Sequence, residues 1–384
     1  MDFTFTDEQK ALRQMARQFA EAEFPKYSKT CDRNEQYPKE LMQKAAKQGL
    51  LGIMIPAEYG GAGVGMMESV IAAEELNAVD PGLALCLAAA DFGTEAIIRL
   101  GTDAQKTRWL APIPKGEMVS GAAISEAGAG SDVAGATCTA IKDGNDYVLN
   151  GAKMWITNGT VADYFITLVA TDPTNKDRHK RFSLVIVPAG VPGFKANKIH
   201  GKLGIRASDT AELQFENLRV SRENLLGEEG KGFYYVMEFF NNTRIGVAAQ
   251  GVGIAQGATA IATKYATERE AFGQPIAGFQ MIQQKLAEMA TRTEAARQLT
   301  YKAAWLNDQG KPNPSASSMA KWFAGETAVH CANEAVQILG GMGYVDEMPA
   351  EKLYRDAKIC EIYEGTKEVH KLIIARSLLG RIKG

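Results

Sequence analysis

One carboxylate in the C-terminal part of the sequence stands in a setting that suits acid–base chemistry. Glu364 lies between Tyr363 and Gly365, just ahead of an amphipathic run that begins at Val369. Apolar neighbours disfavour a charged carboxylate and raise its pKa, which suits a general base that takes a proton from carbon near neutral pH. The following glycine lets a ligand approach the backbone closely. The same residues also fit a helix end, a glycine turn and an N-cap at Thr366, with Glu364 merely solvated.

A second acid stands in an unusually apolar segment. Asp91 follows the run of leucine and alanine at 83–90, and an acid in such surroundings is costly unless it is paired or useful. One interpretation is a capping or salt-bridging residue, with Arg99 as a possible partner. The other is a group that does chemistry.

Three further segments could contact a ligand, although each also has an ordinary structural explanation. The glycine-rich stretch 127–132 could hold pyrophosphate or amide oxygens on its N–H groups, or be a flexible turn. Trp155 and Thr157 could back a planar heterocycle and donate to it, or be a strand end with a core indole. Arg269 with Phe272 could bind a phosphate and stack an adenine.

Composition excludes several classes of protein. A net charge of −2, from 43 basic and 45 acidic residues, favours neither nucleic acid nor an acidic membrane as a partner. The 5 cysteines are scattered and the 4 histidines lack ligand spacing, so we expect reduced thiols and no metal site. The acidic N-terminus resembles no targeting signal, and no window appears apolar enough to span a membrane. We expect a soluble, cytoplasmic protein.

The pattern of elements predicts an α+β fold in three parts. Residues 1–120 read as helices, including one that opens with a capping box at Thr6, one at 39–48, and apolar helices at 67–77 and 82–100. Residues 121–228 carry short alternating runs and turn residues, typical of an antiparallel barrel or sandwich. Residues 229–384 return to long amphipathic helices at 233–265, 279–308 and 313–339.

Eight motifs in register resemble those of the acyl-CoA dehydrogenase family, most closely its short-chain branch. Each is weak alone, but together they cover essentially the whole chain. They are PAEYGG at 56–61, SEAGAGSD at 125–132, WITNG at 155–159, LGEEGKGF at 226–233, RIGVAAQ at 244–250, REAFGQPIAGFQ at 269–280, QILGG at 337–341 and IYEGT at 362–366.

The resemblance implies an N-terminal helical domain, a middle β domain and a C-terminal four-helix bundle, with FAD between the last two and the chain assembled as a homotetramer of dimers. Carried over motif by motif, the implied cofactor-binding residues are Ile124, Ser125, Ser131, Trp155, Thr157, Arg269, Phe272, Gln280, Gln337, Gly340, Gly341, Thr366 and Glu368. The implied substrate-binding residues are Ser131, Asn241, Arg244, Tyr363 and Gly365. Asn241 departs from the family pattern, which usually has an acid there.

The resemblance also implies the reaction. Glu364 would take the α-proton of an acyl-CoA thioester while a hydride leaves for the flavin, and an electron-transferring flavoprotein would accept the electrons. The backbone N–H of the Glu364 position would help to stabilise the developing enolate oxygen. Some relatives carry the base on the helix near 243, but here that residue is Thr243. Glu364 is therefore the only carboxylate that matches the pattern.

Asp91 suggests a narrower substrate. Members of the family that act on cyclohexane- and cyclohex-1-ene-carboxyl-CoA use an Asp in this region, so Asp91 is a candidate second base on a ring carbon. The alternatives are a linear short-chain or branched acyl-CoA with Glu364 as the sole base, a flavin enzyme with another electron acceptor, and a non-catalytic helical scaffold. A scaffold would have little reason to keep the base and the flavin contacts together.

Overall fold

The computed structural model of this protein describes residues 4–380. Met1, Asp2 and Phe3, part of the N-terminal segment expected to lack a targeting signal, lie outside the described residues, as do residues 381–384.

Seven short helices form the N-terminal part. The predicted capping box is present at Thr6, whose side chain accepts a hydrogen bond from the Gln9 N–H while Gln9 bonds back to Thr6. One face of the first helix is buried through Ala16 and Ala20. The helices are α1 (Asp7–Glu23), α2 (Ser28–Arg33), α3 (Lys39–Lys47), α4 (Met66–Asn77), α5 (Pro81–Ala88), α6 (Thr94–Leu100) and α7 (Asp103–Trp109).

The single helix predicted over 82–100 is wrong. The chain forms α5 and α6 separately, and Asp91 lies in the turn between them, where it makes an isolated bridge to Ser120. Gly93, the residue just before α6, has φ 92°, a left-handed conformation that few other residues adopt. The break turns the backbone at Asp91 toward the middle of the molecule.

The middle part is an eight-stranded sheet in the order β6-β7-β3-β2-β4-β5-β8, with β1 paired to β4. Most pairs are antiparallel, as expected, but β1 and β2 each pair in parallel with β4. Buried residues such as Tyr147, Phe165 and Phe215 fill its core. The strands are β1 (Ser120–Ala123), β2 (Thr139–Asp143), β3 (Asp146–Thr157), β4 (Tyr164–Ala170), β5 (Phe182–Pro188), β6 (Phe194–Lys198), β7 (Thr210–Ser221) and β8 (Leu225–Leu226).

Long helices make up the C-terminal part, close to the predicted positions. The central helix packs against two long partners and against α4. The elements are α8 (Gly232–Glu268), β9 (Glu270–Ala271), β10 (Gln274–Pro275), α9 (Gln280–Asp308), α10 (Pro314–Leu339), α11 (Ala350–Ala357) and α12 (Lys367–Leu379).

The expectation that no stretch is apolar enough for a membrane span is wrong for α8. Within residues 4–380 this helix is long and apolar enough to span a membrane by length and composition alone. However, 72% of its most apolar window is buried inside the protein. Alanine and glycine on α8, such as Ala249 and Gly251, allow close packing against α10. The apolar character of α8 therefore reflects its position at the centre of the helical bundle.

A buried ion cluster joins all three parts. Lys352 of α11 lies 2.8 Å from the Asp80 carboxylate at the start of α5 and 2.6 Å from Asp356. Asp356 in turn accepts a hydrogen bond of 2.5 Å from the Ile205 N–H of the middle part. Because Asp80, the Ile205 backbone and the α11 pair come from different parts of the chain, the cluster helps to fix how the three parts meet.

Candidate active site

A cavity of about 330 Å³ lies where the three parts meet. Its volume is within the range of small-molecule sites. Its wall is mostly apolar, and its polar members include three carboxylic acids, Asp91, Glu95 and Glu364. The other lining residues include Leu50, Ile53, Met54, Met66, Ala72, Ala73, Leu76, Leu85, Leu87, Ala88, Phe92, Ile98, Thr157, Phe239, Thr243, Val247, Gln250 and Tyr363.

Glu364 reaches this cavity from a tight turn. The predicted glycine turn and the N-cap at Thr366 are both present, so the structural interpretation of the motif was correct about the backbone. Its prediction that Glu364 is merely solvated is wrong, because the side chain is half-buried and Thr243 donates a hydrogen bond of 2.5 Å to its carboxylate. Burial raises the pKa of Glu364, against the lowering effects of Thr243, Lys321 and Arg244.

The carbonyl of Gly365 is held from two sides. Lys321 of α10 donates a hydrogen bond of 2.5 Å to this oxygen, and the Nε2 of His370 lies 2.9 Å from it. Both side chains are fully buried. Burial lowers the pKa of Lys321 to about 8 and, with the nearby cations Lys321 and Arg244, the pKa of His370 to about 3. His370 is therefore neutral at pH 7 and donates through Nε2–H.

Asp91 lines the same cavity without a side-chain partner. Arg99, named above as a possible partner, pairs instead with Glu238. Within residues 4–380 no other side chain donates a hydrogen bond to the Asp91 carboxylate. Burial raises its pKa to about 6. Asp91 therefore ionises just below neutral pH, in the range that suits a general base.

Glu95 is an acid that the sequence analysis missed. It lies in the first turn of α6, shortly after Asp91, and the side-chain amide of Asn242 on α8 donates a hydrogen bond to it. Burial raises the pKa of Glu95 to about 7. The signal that could have found it is the start of α6: once the chain breaks at Gly93, the first turn of the new helix faces the same way as Asp91.

Trp155 and Thr157 lie at the end of β3, and the N–H of Met154 on the same strand donates a hydrogen bond to the Ser125 carbonyl. Trp155 is 63% exposed and has φ 66°, so the alternative of an ordinary core tryptophan is wrong. Within the described residues the hydroxyls of Ser125 and Thr157 make no hydrogen bond to protein, and Thr157 lines the cavity. An open aromatic face beside free hydroxyls fits a planar heterocycle with polar ring edges.

Behind this surface a buried ion pair fixes the backbone. Lys153 donates to the Ile124 carbonyl at 3.0 Å and to Glu126 at 2.9 Å. Glu126 also accepts from the N–H groups of Thr137 and Cys138. The Ile124 side chain belongs to the buried core, so any contact of this residue with a flavin would run through its backbone.

Of the remaining predicted residues, some lie at the cavity or beside Glu364, and the others are exposed and lie away from it. Arg244 is buried beside Glu364, and its guanidinium donates to the Asn241 side chain at 3.0 Å. Tyr363 lines the cavity, and its hydroxyl bonds to Gln250. The others lie away from the cavity, with Phe272 96% exposed. These exposed residues are Ser131, Arg269, Gln280, Gln337, Gly340, Gly341 and Glu368.

Comparison with known proteins agrees with this architecture. The N-terminal, middle and C-terminal domain descriptions of acyl-CoA dehydrogenase match residues 6–117, 121–218 and 230–379. The chain is 46% identical to an acryloyl-CoA reductase (NADH) of Anaerotignum propionicum, over 99% of this chain and 97% of that protein. It is 43% identical to an acyl-CoA dehydrogenase of Bacillus subtilis, over 98% and 99% of the two chains.

Solved structures give the same result. Butyryl-CoA dehydrogenase from Megasphaera elsdenii superposes with a TM-score of 0.95 at 39% identity, covering 99% of this chain and 100% of that chain. A chain solved in work on the electron transferring flavoprotein of Acidaminococcus fermentans superposes with a TM-score of 0.96 at 43% identity, with the same coverage. The fold expected from the motifs is confirmed, and the chain belongs to the acyl-CoA dehydrogenase family.

Proposed function

We propose that this enzyme is an FAD-dependent dehydrogenase of short acyl-CoA thioesters, with Glu364 as the base at the α-carbon and Asp91 as a second base on an alicyclic acyl group. The observation that carries the proposal is the cavity itself, whose apolar wall holds three acids of raised pKa, of which Asp91 and Glu364 lie on separate elements. Substrates of this kind include cyclohexanecarboxyl-CoA and cyclohex-1-ene-1-carboxyl-CoA.

The residues around Glu364 suit removal of a weakly acidic C–H proton. The Glu364 carboxylate takes the proton, and its raised pKa gives it the basicity that the step needs. Thr243 fixes the orientation of the carboxylate by its hydrogen bond. The apolar wall excludes water, which strengthens every electrostatic interaction inside the cavity. Bound FAD supplies the hydride acceptor, and Trp155, Thr157 and Ser125 would hold its ring system.

The position of Asp91 supports the proposal of a cyclic substrate. An unpaired acid in an apolar cavity destabilises the folded chain, so its presence is best explained by chemistry. In a ring with a conjugated double bond, a carbon remote from the thioester carbonyl also carries an acidic proton, because the charge left behind delocalises to the carbonyl oxygen. The Asp91 carboxylate would take that proton.

We also propose that electrons pass to an electron-transferring flavoprotein and that the chain forms a homotetramer. The structural relative from work on such a flavoprotein supports the first point. Strongly exposed apolar and aromatic side chains in the helical part, including Phe272, Tyr344 and Leu378, support the second. The exposed predicted cofactor residues Arg269 and Gln337 would then meet FAD at a subunit interface.

The decisive test is anaerobic titration of the purified yellow protein while the flavin absorbance is followed. The panel contains butyryl-, isovaleryl-, cyclohexanecarboxyl- and cyclohex-1-ene-1-carboxyl-CoA. We expect the cyclic thioesters to bleach the flavin. Glu364→Gln should abolish bleaching by substrates that lose a proton from the α-carbon, and Asp91→Asn should abolish bleaching by substrates that lose one from the remote ring carbon. Absence of bound flavin would refute the main claim.

The second candidate is α,β-dehydrogenation of a linear substrate by Glu364 alone. It is favoured by the likeness to butyryl-CoA dehydrogenase over the whole chain. Selective bleaching by butyryl-CoA, unchanged in Asp91→Asn, would support this candidate and remove Asp91 from the chemistry.

A further inference from the structure

Lys321 is a buried cation with an unusual partner. It lies on α10 with no exposed surface, yet within residues 4–380 it forms no salt bridge. Its ammonium group donates instead to the Gly365 carbonyl at 2.5 Å. A buried charge without a carboxylate partner is costly. The position of Lys321 therefore calls for an explanation beyond packing.

The same carbonyl receives a second donor from a different helix. His370 of α12 is neutral at working pH and donates from Nε2 at 2.9 Å, while its buried Nδ1 has no partner within residues 4–380. The Gly365 oxygen thus accepts hydrogen bonds from α10 and from α12. Fixing this oxygen fixes the plane of the peptide between Gly365 and Thr366, and so the direction in which the turn leaves Glu364.

The turn needs such support. Glu364 has φ 54° and Gly365 has φ 97°, both in the left-handed region. For a residue other than glycine this conformation costs about 1–3 kcal/mol and persists only where the surroundings over-determine it. Thr243 fixes the carboxylate end of Glu364. Lys321 and His370 fix the backbone end.

We propose that Lys321, assisted by His370, is a positioning residue for the base: it clamps the Gly365 carbonyl and so holds the Glu364 carboxylate and its backbone N–H in their working geometry. The inference rests on the proposed role of Glu364. Lys321 touches neither the cavity nor the reacting atoms and acts only through the turn.

The charge of Lys321 adds an effect that can be measured. The charged and titratable groups facing its ammonium are Glu364, Glu361, Cys360, Arg244 and His370. Lys321 and Arg244 both lower the pKa of Glu364. Removing one of these cations therefore raises that pKa, which moves the acidic limb of the kcat/KM profile toward higher pH.

The experiment compares Lys321→Met with Lys202→Met in the flavin-loaded enzyme, using the acyl-CoA that bleaches the wild-type flavin. Lys202 is a matched control, because burial also lowers its pKa to about 8 and its ammonium also donates to backbone carbonyls, those of Ile205 and Ser208, away from the cavity. For Lys321→Met we expect kcat to fall by about 100-fold, the effect of displacing a catalytic group such as the Glu364 carboxylate by about 1 Å. The flavin content should be retained. We also expect the acidic limb to move to higher pH, because a cation that lowers the pKa of Glu364 has been removed. Lys202→Met should lower the melting temperature but change neither kcat nor the position of the acidic limb.

A milder pair of variants covers the case in which Lys321→Met does not fold. His370→Phe removes one donor to the carbonyl, and His370→Gln supplies an amide N–H in its place. We expect kcat to fall in the first and to recover in the second. Equal kcat in both variants, or a Lys321→Met enzyme with wild-type kcat and pH profile, would overturn the inference.

Glu364→Gln, measured in parallel, separates this failure from failure of the proposed function. An active Glu364→Gln enzyme would refute both. An inactive Glu364→Gln enzyme together with a fully active Lys321→Met enzyme would refute the positioning role alone.

Discussion

Asp91→Asn separates a residue kept for chemistry from one kept for stability, because the two roles predict opposite changes in the melting temperature. Burial holds the pKa of Asp91 at about 6 against an ordinary value of 3.8. The folded chain therefore binds more protons than the unfolded chain between about pH 4 and pH 6, so this group makes stability fall as pH rises through that window. Above about pH 6 this difference between the folded and unfolded pKa lowers the free energy of unfolding by about 3 kcal/mol.

Asparagine has nearly the same shape and no charge, so the variant should recover most of that free energy. We expect a melting temperature several degrees above wild type at pH 8, and a gain of about half that size at pH 5, where the wild-type acid is largely protonated. Turnover of the cyclic thioesters should fall by at least about 100-fold, the usual contribution of a general base. Retention of flavin absorbance shows that the site is intact.

Scanning calorimetry at pH 5 and pH 8 measures the first effect, and the flavin-bleaching assay measures the second. Glu117→Gln is the control, since Glu117 is exposed and remote from the cavity, and it should change stability by less than about 0.5 kcal/mol. A variant that is less stable than wild type at pH 8 would show that Asp91 has a stabilising partner. Unchanged turnover in a folded variant would refute its role as a base.

Three further substitutions test the surroundings of the base and the flavin surface. Thr243→Val removes a hydrogen bond that lowers the pKa of Glu364, so the acidic limb of the kcat/KM profile should move to higher pH; an unmoved limb would mean that another group titrates there. Gly365→Ala places a Cβ 3.1 Å from the His370 ring, on a backbone with φ 97°. It should lower the free energy of unfolding by about 1–3 kcal/mol and reduce kcat. An unchanged melting temperature would contradict the strained turn. Trp155→Ala should lose flavin during gel filtration while Trp305→Ala, an exposed indole on α9, keeps it; equal flavin content in the two would exclude Trp155 from the ring site.

Local sequence signals predicted the ends of elements well. The capping box at Thr6 and the N-cap at Thr366 each depend on a few neighbouring residues, and both are present. The helix break at Asp91 was missed because apolar composition is the same in a continuous helix and in two buried short ones. The apolar character of α8 was also underestimated, because a helix predicted as amphipathic lies at the centre of the bundle, where it is apolar on most faces.

Long-range partners were beyond the sequence. Thr243 and Glu364 meet across 121 positions of the chain, and neither residue carries a local signal for the other. Lys321 reads as an ordinary charge on a helix until α12 is seen to place Gly365 beside it. The family motifs located Glu364 and Trp155, but whether a side chain faces the cavity depends on packing between elements that are distant in sequence.

The ion cluster around Lys352 has a consequence for how this protein melts. Separating the N-terminal part from α11 would break the Lys352–Asp80 pair, and removing one partner of a buried ion pair typically costs 3–5 kcal/mol. Separating the middle part would remove the hydrogen bond from the Ile205 N–H to Asp356. Complete unfolding instead hydrates all of these groups. The cluster therefore favours unfolding of the three parts together, and with it the loss of the cavity between them.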